Sequence, residues 1–261
     1  MDNDQRTHMI SLFEKGIRLD GRKLLEYRGP ISIQRGFTKT AEGSAKVTLG
    51  ETEVIVGVKM EVGAPYPDSP GDGTIMVGAE LLPLSNPQFE LGPPGIQAIE
   101  LARIVDRGIR ESKALDFKKL CIREGELVWI VSIDVCSLND AGNLFDASSF
   151  GALAALQDTV LPKLDGDKVN YKDKTKNHLV LEALPISVTV CKIGNHLFVD
   201  PSTEEEEFID ARLTVASLEN GDLCALQKGG ETPLTAEEIQ AMITIGIEQG
   251  KMLRKLLLEK R

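Results

Sequence analysis

Residues 139–156 read NDAGNLFDASSFGALAAL, a tight turn that leads directly into a helix rich in small residues. Residues 140–142 form the turn, and residues 147–151 open the helix. The first N–H groups of a helix have no partner within the helix, so a turn of small residues at this place is typical of an oxyanion site. The segment therefore has the frame of a phosphate-binding loop.

The charge that a phosphate site requires is missing from this frame. Such a site needs a fixed cation and several N–H or O–H donors that converge on one oxyanion. Leu144 and Phe145 supply neither, and Asp146 is expected to repel the ligand. The segment predicts the shape of a phosphate loop without its chemistry.

Composition limits the possible functions. The chain has 261 residues, enough for one large or two small domains, and a net charge of −10. That charge has the wrong sign for a protein that coats nucleic acid, so any RNA contact must be a local basic patch. The four cysteines and three histidines are scattered without a CxxC, so we expect no metal site and no cofactor.

The sequence also limits the expected location of the protein. No stretch approaches the ~18 consecutive apolar residues of a membrane-spanning helix. The first residues, MDNDQRTHMISLFEKG, lack the basic-then-apolar pattern of a signal peptide. Together with the free cysteines, these features predict a protein of the reducing cytoplasm with no membrane partner.

Strand patterns occur in two blocks, and each block is followed by helices. The first block predicts a hairpin over 43–62, a helix over 96–112, a strand pair within 122–138 and a helix over 147–161. The second block predicts strands at 185–191, 197–199, 211–217 and 223–226, then a helix that a capping box opens at Thr235. This order indicates an α+β fold of two lobes, each a mixed sheet with helices packed on one face.

Four segments follow from this pattern. Residues 1–30 are predicted to form an N-terminal helix and a basic loop, and residues 31–162 the N-terminal lobe. Residues 163–178 are charged and poor in apolar side chains, so they are the best candidate for a linker. Residues 179–261 are predicted to form the C-terminal lobe.

An acidic run covers residues 200–210, DPSTEEEEFID. Glu204 and Asp210 stand six residues apart, and two such carboxylates could hold Mg²⁺ or act as a general acid. The alternative is a solvated acidic loop, and spacing alone favours that alternative.

The predicted helix over 96–112 carries Arg103, Arg107 and Arg110 at positions i, i+4 and i+7. This spacing puts three guanidinium groups along one helix face, where they could follow a single-stranded RNA backbone. The alternative is local pairing of Arg110 with Asp106 and of Arg107 with Glu111. A further basic group around RLDGR (18–22) has the same two interpretations, contact with RNA or simple solvation.

Taken together, these segments resemble the RNase PH family, and more closely its exosome branch. The resemblance rests on RLDGR (18–22), GSAKVTLG (43–50), the Pro- and Gly-rich stretch after residue 83, the arginine-bearing helix, DAG (140–142) and FID (208–210). It covers residues 10–260. The family implies a fold of two βαβα-type lobes in a six-membered ring, and a phosphorolytic 3′→5′ exoribonuclease activity on single-stranded RNA.

Carried over residue by residue, the family pattern is broken at the site. Its Thr-Arg or Ser-Arg phosphate clamp falls at Asn143-Leu144, and its two catalytic aspartates fall at Glu204 and Asp210. These departures resemble the non-catalytic ring subunit of the archaeal-type exosome. The resemblance then implies a catalytic homologue and RNA-binding cap subunits as partners. It also implies RNA contacts for Arg107 and Arg110, and less directly for Arg103. The alternative is an active phosphorolytic exoribonuclease with a degenerate clamp.

Overall fold

The computed structural model describes residues 2–259, apart from the side chains of residues 2, 3, 172 and 174. The helices are α1 (Asp2–Glu14), α2 (Ile96–Glu111), α3 (Leu144–Asp158), α4 (Thr203–Glu206) and α5 (Ala236–Glu259), with a 3₁₀ turn at Phe117–Leu120. The strands are β1 (Ile31–Arg35), β2 (Gly43–Leu49), β3 (Thr52–Gly63), β4 (Thr74–Glu80), β5 (Cys121–Arg123), β6 (Leu127–Asn139), β7 (Val160–Asp165), β8 (Lys168–His178), β9 (Ile186–Ile193), β10 (His196–Val199), β11 (Ala211–Ser217) and β12 (Leu223–Gly229).

The first sheet is mixed and has the order β1-β2-β3-β6-β4, with β5 paired to β6. Only the β4–β6 pair is parallel. Alternate residues of β3 are buried, as the period-two pattern predicts, so one face of this sheet packs inward. Helix α3 covers that face at short range: a Cβ on Gly151 would lie 2.8 Å from Val56 Cγ2, so only glycine permits this approach.

The second sheet is antiparallel and has the order β10-β9-β11-β12. Nearly every residue of β9 and β11 is buried, because helices lie on both faces of this sheet. Gly108 of α2 faces Ser187 and Ala216, whereas Gly246 of α5 faces Val215. The expectation of a mixed sheet with helices on one face is therefore right for the first sheet, whereas the second sheet is antiparallel and has helices on both faces.

The larger of two hydrophobic clusters among the described residues connects the two lobes. It contains Val56 and Val131 of the first sheet together with Val188 and Val215 of the second, all fully buried. Helix α3 lies between the sheets and contacts β2, β3 and β9. The helix of the opening segment thus sits at the centre of the molecule, which fixes the turn in front of it.

Residues 163–178, expected to be a polar linker, instead contribute to a two-stranded antiparallel sheet of β7 and β8. Low apolar content did not prevent strand formation, because hydrogen bonds between the two backbones hold the hairpin together and the hairpin needs little hydrophobic core of its own. Gly166, with φ +64, occupies the turn between the two strands. The boundaries of the predicted domains remain a prediction.

Within residues 2–259 no helix is long and apolar enough to span a membrane.

Candidate functional site

The turn before α3 is held in an unusual backbone conformation. Gly142 has φ +99, and a Cβ at this position would overlap the carbonyl oxygen of Pro201 and lie 2.8 Å from Thr203 N. Asn143 follows in the left-handed region with φ 58. The Gly142 N–H donates to Asp140 Oδ1 over 3.0 Å. The turn therefore lies directly against the acidic segment 200–206 of the other lobe.

Asp200 stabilises the contact between the turn and the C-terminal lobe. Its carboxylate is fully buried and accepts hydrogen bonds from Arg28 (Oδ1 2.8 Å), Arg22 (Oδ2 2.9 Å) and the Asn143 side-chain amide (Oδ1 3.0 Å). The Arg28 guanidinium also donates to the carbonyls of Ala141 and Gly142. The basic loop therefore ties the turn to the C-terminal lobe.

Arg18 completes this anchor and is itself buried. Its guanidinium pairs with Glu205, donates to the carbonyls of Val199 and Asp200, and lies 5.0 Å from the ring centroid of Phe198. The RLDGR group is thus neither solvated nor free to hold RNA at Arg18 and Arg22, because carboxylates and carbonyls of the C-terminal lobe occupy these side chains.

A cavity of about 230 Å³ opens beside the turn, between α2, α3 and the segment 201–212. Its walls combine apolar and polar side chains in nearly equal share. The lining residues are Leu81, Gln97, Leu101, Asp140, Asn143, Leu144, Phe145, Thr189, Cys191, Pro201, Glu206, Ile209 and Arg212. This is where the anion of a phosphate-binding frame would be expected.

A carboxylate of the same chain occupies the amino end of α3. The Asn143 N–H donates to Glu206 Oε1 over 2.8 Å. Burial, which withdraws the carboxyl from water, together with the nearby Asp140 raises the pKa of Glu206 to about 7, although the Asn143 hydrogen bond, Arg28 and Arg212 each act to lower it. The Asn143 N–H at the start of this helix is therefore already satisfied by a carboxyl group of the same chain.

Asp146 does not face the cavity, contrary to the expectation that it would repel a ligand there. Its Oδ1 accepts the Thr189 N–H (2.8 Å), and its Oδ2 accepts the Tyr27 hydroxyl (2.7 Å) and the Asn143 amide (3.1 Å). Burial raises the pKa of Asp146 to about 7, because these bonds only partly offset the loss of water. Its position in the first turn of α3 directs it into the core, where it connects α3 to β9.

Glu204 and Asp210, the predicted pair of acidic positions, lie outside the cavity lining. Glu204 is exposed on α4, and Asp210 pairs with Arg6 (2.9 Å) and accepts the Gly194 N–H (2.6 Å). The charged residues of the segment 201–212 that line the cavity are Glu206 and Arg212. They also stand six apart, but a search for two carboxylates at that spacing misses them because the second is an arginine.

The three arginines of α2 have different surroundings. Arg110 pairs with Asp106 (2.7 Å) and donates to the Ile75 carbonyl (3.1 Å), as the local-pairing alternative predicts. Asp106 accordingly raises the pKa of the Arg110 guanidinium. Arg103 is exposed and Arg107 is half-buried, and neither has an ion-pair partner among the described residues. RNA contact by these arginines remains a prediction.

No group of three or more His, Cys, Asp or Glu side chains in the described part of the chain is arranged to hold a metal ion.

Two α+β lobes that share one core, with a tight turn leading into a central helix at their junction, define the class of this protein. The family model described as "3' exoribonuclease family, domain 1" matches residues 27–162. The model described as "3' exoribonuclease family, domain 2" matches residues 183–249. The chain therefore belongs to the RNase PH family of 3′ exoribonucleases, and the predicted fold is confirmed.

Within this family the chain is similar to exosome subunits of archaea. It is 44% identical to "Exosome complex component Rrp42" of Methanopyrus kandleri, over 96% of this chain and 94% of that protein. It is 45% identical to the protein of the same name from Thermococcus kodakarensis, over 99% and 96%. A chain of the solved structure "archaeoglobus fulgidus exosome with RNA bound to the active site" superposes with a TM-score of 0.89, at 43% identity and 97% coverage of both chains.

Proposed function

We propose that this chain is a non-catalytic subunit of an exosome core ring of the RNase PH type. It pairs with a catalytic homologue in a trimer of heterodimers, which degrades single-stranded RNA from the 3′ end with phosphate. It contributes RNA binding and assembly of its neighbour's active site, works in the cytoplasm, and meets RNA-binding cap subunits on the ring. The similarity to archaeal Rrp42 proteins over nearly the full chain supports this assignment.

The observation that carries the non-catalytic role is the hydrogen bond from the Asn143 N–H to Glu206. A phosphate ion at the start of α3 would have to displace this carboxylate, and it would meet a second carboxylate at Asp140. Leu144 adds no cation. Loss of a single preorganised donor typically lowers a rate by about 10²–10³-fold, so combined loss of the clamp and occupation of its place leave no useful turnover.

The proposed RNA contact lies on α2. Arg103 and Arg107 have guanidinium groups without ion-pair partners among the described residues, and their helix borders the cavity through Leu101. Arg110 can join them only by leaving Asp106. A local patch of this kind is compatible with a chain whose overall charge is −10.

The test is release of nucleoside diphosphate from a single-stranded RNA in the presence of phosphate and Mg²⁺. Three samples are compared: this chain alone, a catalytic homologue alone, and both together. We expect no release from this chain alone and the fastest release from the mixture. Release by this chain alone at the rate of the catalytic homologue would overturn the proposal.

The alternative, an active enzyme with a degenerate clamp, is tested by restoring the clamp. Asn143→Thr with Leu144→Arg is expected to give no phosphate-dependent activity, because Glu206 still occupies the start of α3. The same double variant is then combined with Glu206→Gln, and with Glu204→Gln as a control that changes an exposed neighbour. A gain in phosphate-dependent activity from Asn143→Thr with Leu144→Arg, without the change at Glu206, would show that the Glu206 carboxylate does not block the site.

A further inference from the structure

The cavity beside Asn143 has the size and lining of a site for a single heterocycle. Its volume of about 230 Å³ is below the roughly 300–1,000 Å³ of pockets for drug-sized ligands. Leu101, Leu144 and Ile209 give it apolar walls, and Phe145 adds an aromatic side chain. Flat apolar walls suit the faces of an aromatic ring, so the polar groups decide which ring fits.

The first polar group is the Glu206 carboxylate. One of its oxygens accepts the Asn143 N–H, and the other accepts no hydrogen bond from the described residues. Glu206 also has no ion-pair partner among these residues, although it lines the cavity. A carboxylate in this state accepts hydrogen bonds from a ligand that carries adjacent N–H groups.

The second polar group is the Arg212 guanidinium, at the same cavity. It pairs with Glu100 through Nη2 over 2.6 Å and lies 4.9 Å from the ring centroid of Phe145. A guanidinium has five N–H donors, and the hydrogen bond to Glu100 uses one of those of Arg212. This fixed, planar fork therefore retains donors for a ligand with two adjacent acceptors.

We propose that this cavity binds a guanine base. Guanine has two adjacent donors, N1–H and the 2-amino group, which match the Glu206 carboxylate. It also has two adjacent acceptors, O6 and N7, which are the atoms that arginine forks commonly recognise. Adenine carries an amino group in place of O6, so it cannot satisfy Arg212 in this way. Free phosphate is disfavoured by the carboxylates of Glu206 and Asp140.

This inference does not depend on the proposed function. A guanine site is a property of the isolated chain, whereas the ring-subunit assignment is tested by nucleoside diphosphate release with a partner. Either can fail without the other.

The test is calorimetric titration of the full chain at about pH 8, where Glu206 is mainly ionised, with guanosine, inosine, adenosine and inorganic phosphate. Guanosine is expected to bind best. Inosine lacks the 2-amino group, so it should bind about tenfold more weakly because one acceptor of Glu206 stays unpaired. Adenosine and phosphate should give no saturable heat. A short oligoadenylate with one terminal guanosine distinguishes a guanine within RNA from the free nucleoside.

Glu206→Gln is the matching variant, because its amide oxygen can still accept the Asn143 N–H while the second acceptor is lost. It should weaken guanosine binding by about ten- to hundredfold, and Glu204→Gln should leave it unchanged. Equal affinity for guanosine, inosine and adenosine would overturn the proposal. So would saturable binding of phosphate, or no guanosine binding at millimolar concentration. The comparison of inosine with guanosine needs no variant and stands even if Glu206→Gln misfolds.

Discussion

Replacing Asp200 with alanine is expected to destabilise the whole chain, although the residue lies in a loop. Asp200 is fully buried and is the counter-charge of two guanidinium groups, those of Arg22 and Arg28. It also accepts the Asn143 amide. Its removal takes away the one carboxylate that these two largely buried guanidinium groups share, leaving Arg28 with only carbonyl acceptors and Arg22 with Asp20, and it releases the contact that fixes the turn before α3.

The expected loss is about 3–5 kcal/mol, the usual cost of removing one partner from a buried, hydrogen-bonded ion pair. The alanine also has to adopt φ +52, which aspartate tolerates better. For a chain of this length such a loss corresponds to a fall in Tm of roughly 6–20 °C. Urea unfolding, followed by circular dichroism at one fixed protein concentration, measures the loss in free energy of unfolding.

Asp106→Ala is the matched control, because it also removes the partner of an arginine, but at the surface. The pair of Asp106 with Arg110 is 26% and 40% exposed. Its loss should cost less than about 1 kcal/mol. If Asp200→Ala costs no more than Asp106→Ala, the buried network does not hold the turn and the reasoning is refuted.

Three further outcomes are expected. Gly142→Ala should destabilise by more than about 2 kcal/mol in thermal unfolding, because φ +99 and the backbone of the acidic segment both exclude a Cβ. Burial raises the pKa of Glu206 from 4.5 to about 7. The folded state therefore retains a proton that the unfolded state releases, and the free energy of unfolding should fall as pH rises through this window. Urea titrations should show a smaller fall for Glu206→Gln. In filter-binding assays on the assembled ring, Arg103→Ala with Arg107→Ala should weaken RNA binding and lower the salt slope by about 0.7 per lost phosphate contact, whereas Arg110→Ala should have less effect because Asp106 already holds that side chain.

Most of the fold could be predicted from the sequence. The hairpin of β2 and β3, helix α2 and the capped start of α5 lie within a few residues of their predicted positions. These elements are decided locally, by period-two alternation, by Pro residues before a helix, and by the Thr235 capping box, whose hydrogen bonds to Glu238 are formed. The pairing of β7 with β8 was missed because a hairpin that packs little apolar surface leaves no periodic signal.

The candidate site was only partly predictable. The turn at 140–142 and the absence of a clamp follow from residue types alone. The placement of Glu206 at the start of α3, and of Asp146 in the core, depends on contacts between the lobes. Neighbouring residues of the acidic run have opposite surroundings: Glu204 is exposed, Glu205 is buried against Arg18, and Glu206 lines the cavity. The single turn of α4 points these three side chains in different directions, and the composition of the run does not predict which of them is buried.

The anchoring of the basic loop before β1, here called the N-terminal arm (residues 15–30), also has a consequence for the order of folding. Arg18 and Glu205 are 187 residues apart along the chain, and Arg22 and Asp200 are 178 apart. Closing such long loops is slow, and contacts of this kind form late. During synthesis the arm leaves the ribosome first and finds its acidic partners last. Deletion of this arm should therefore loosen the acidic segment 200–206, near the opposite end of the chain.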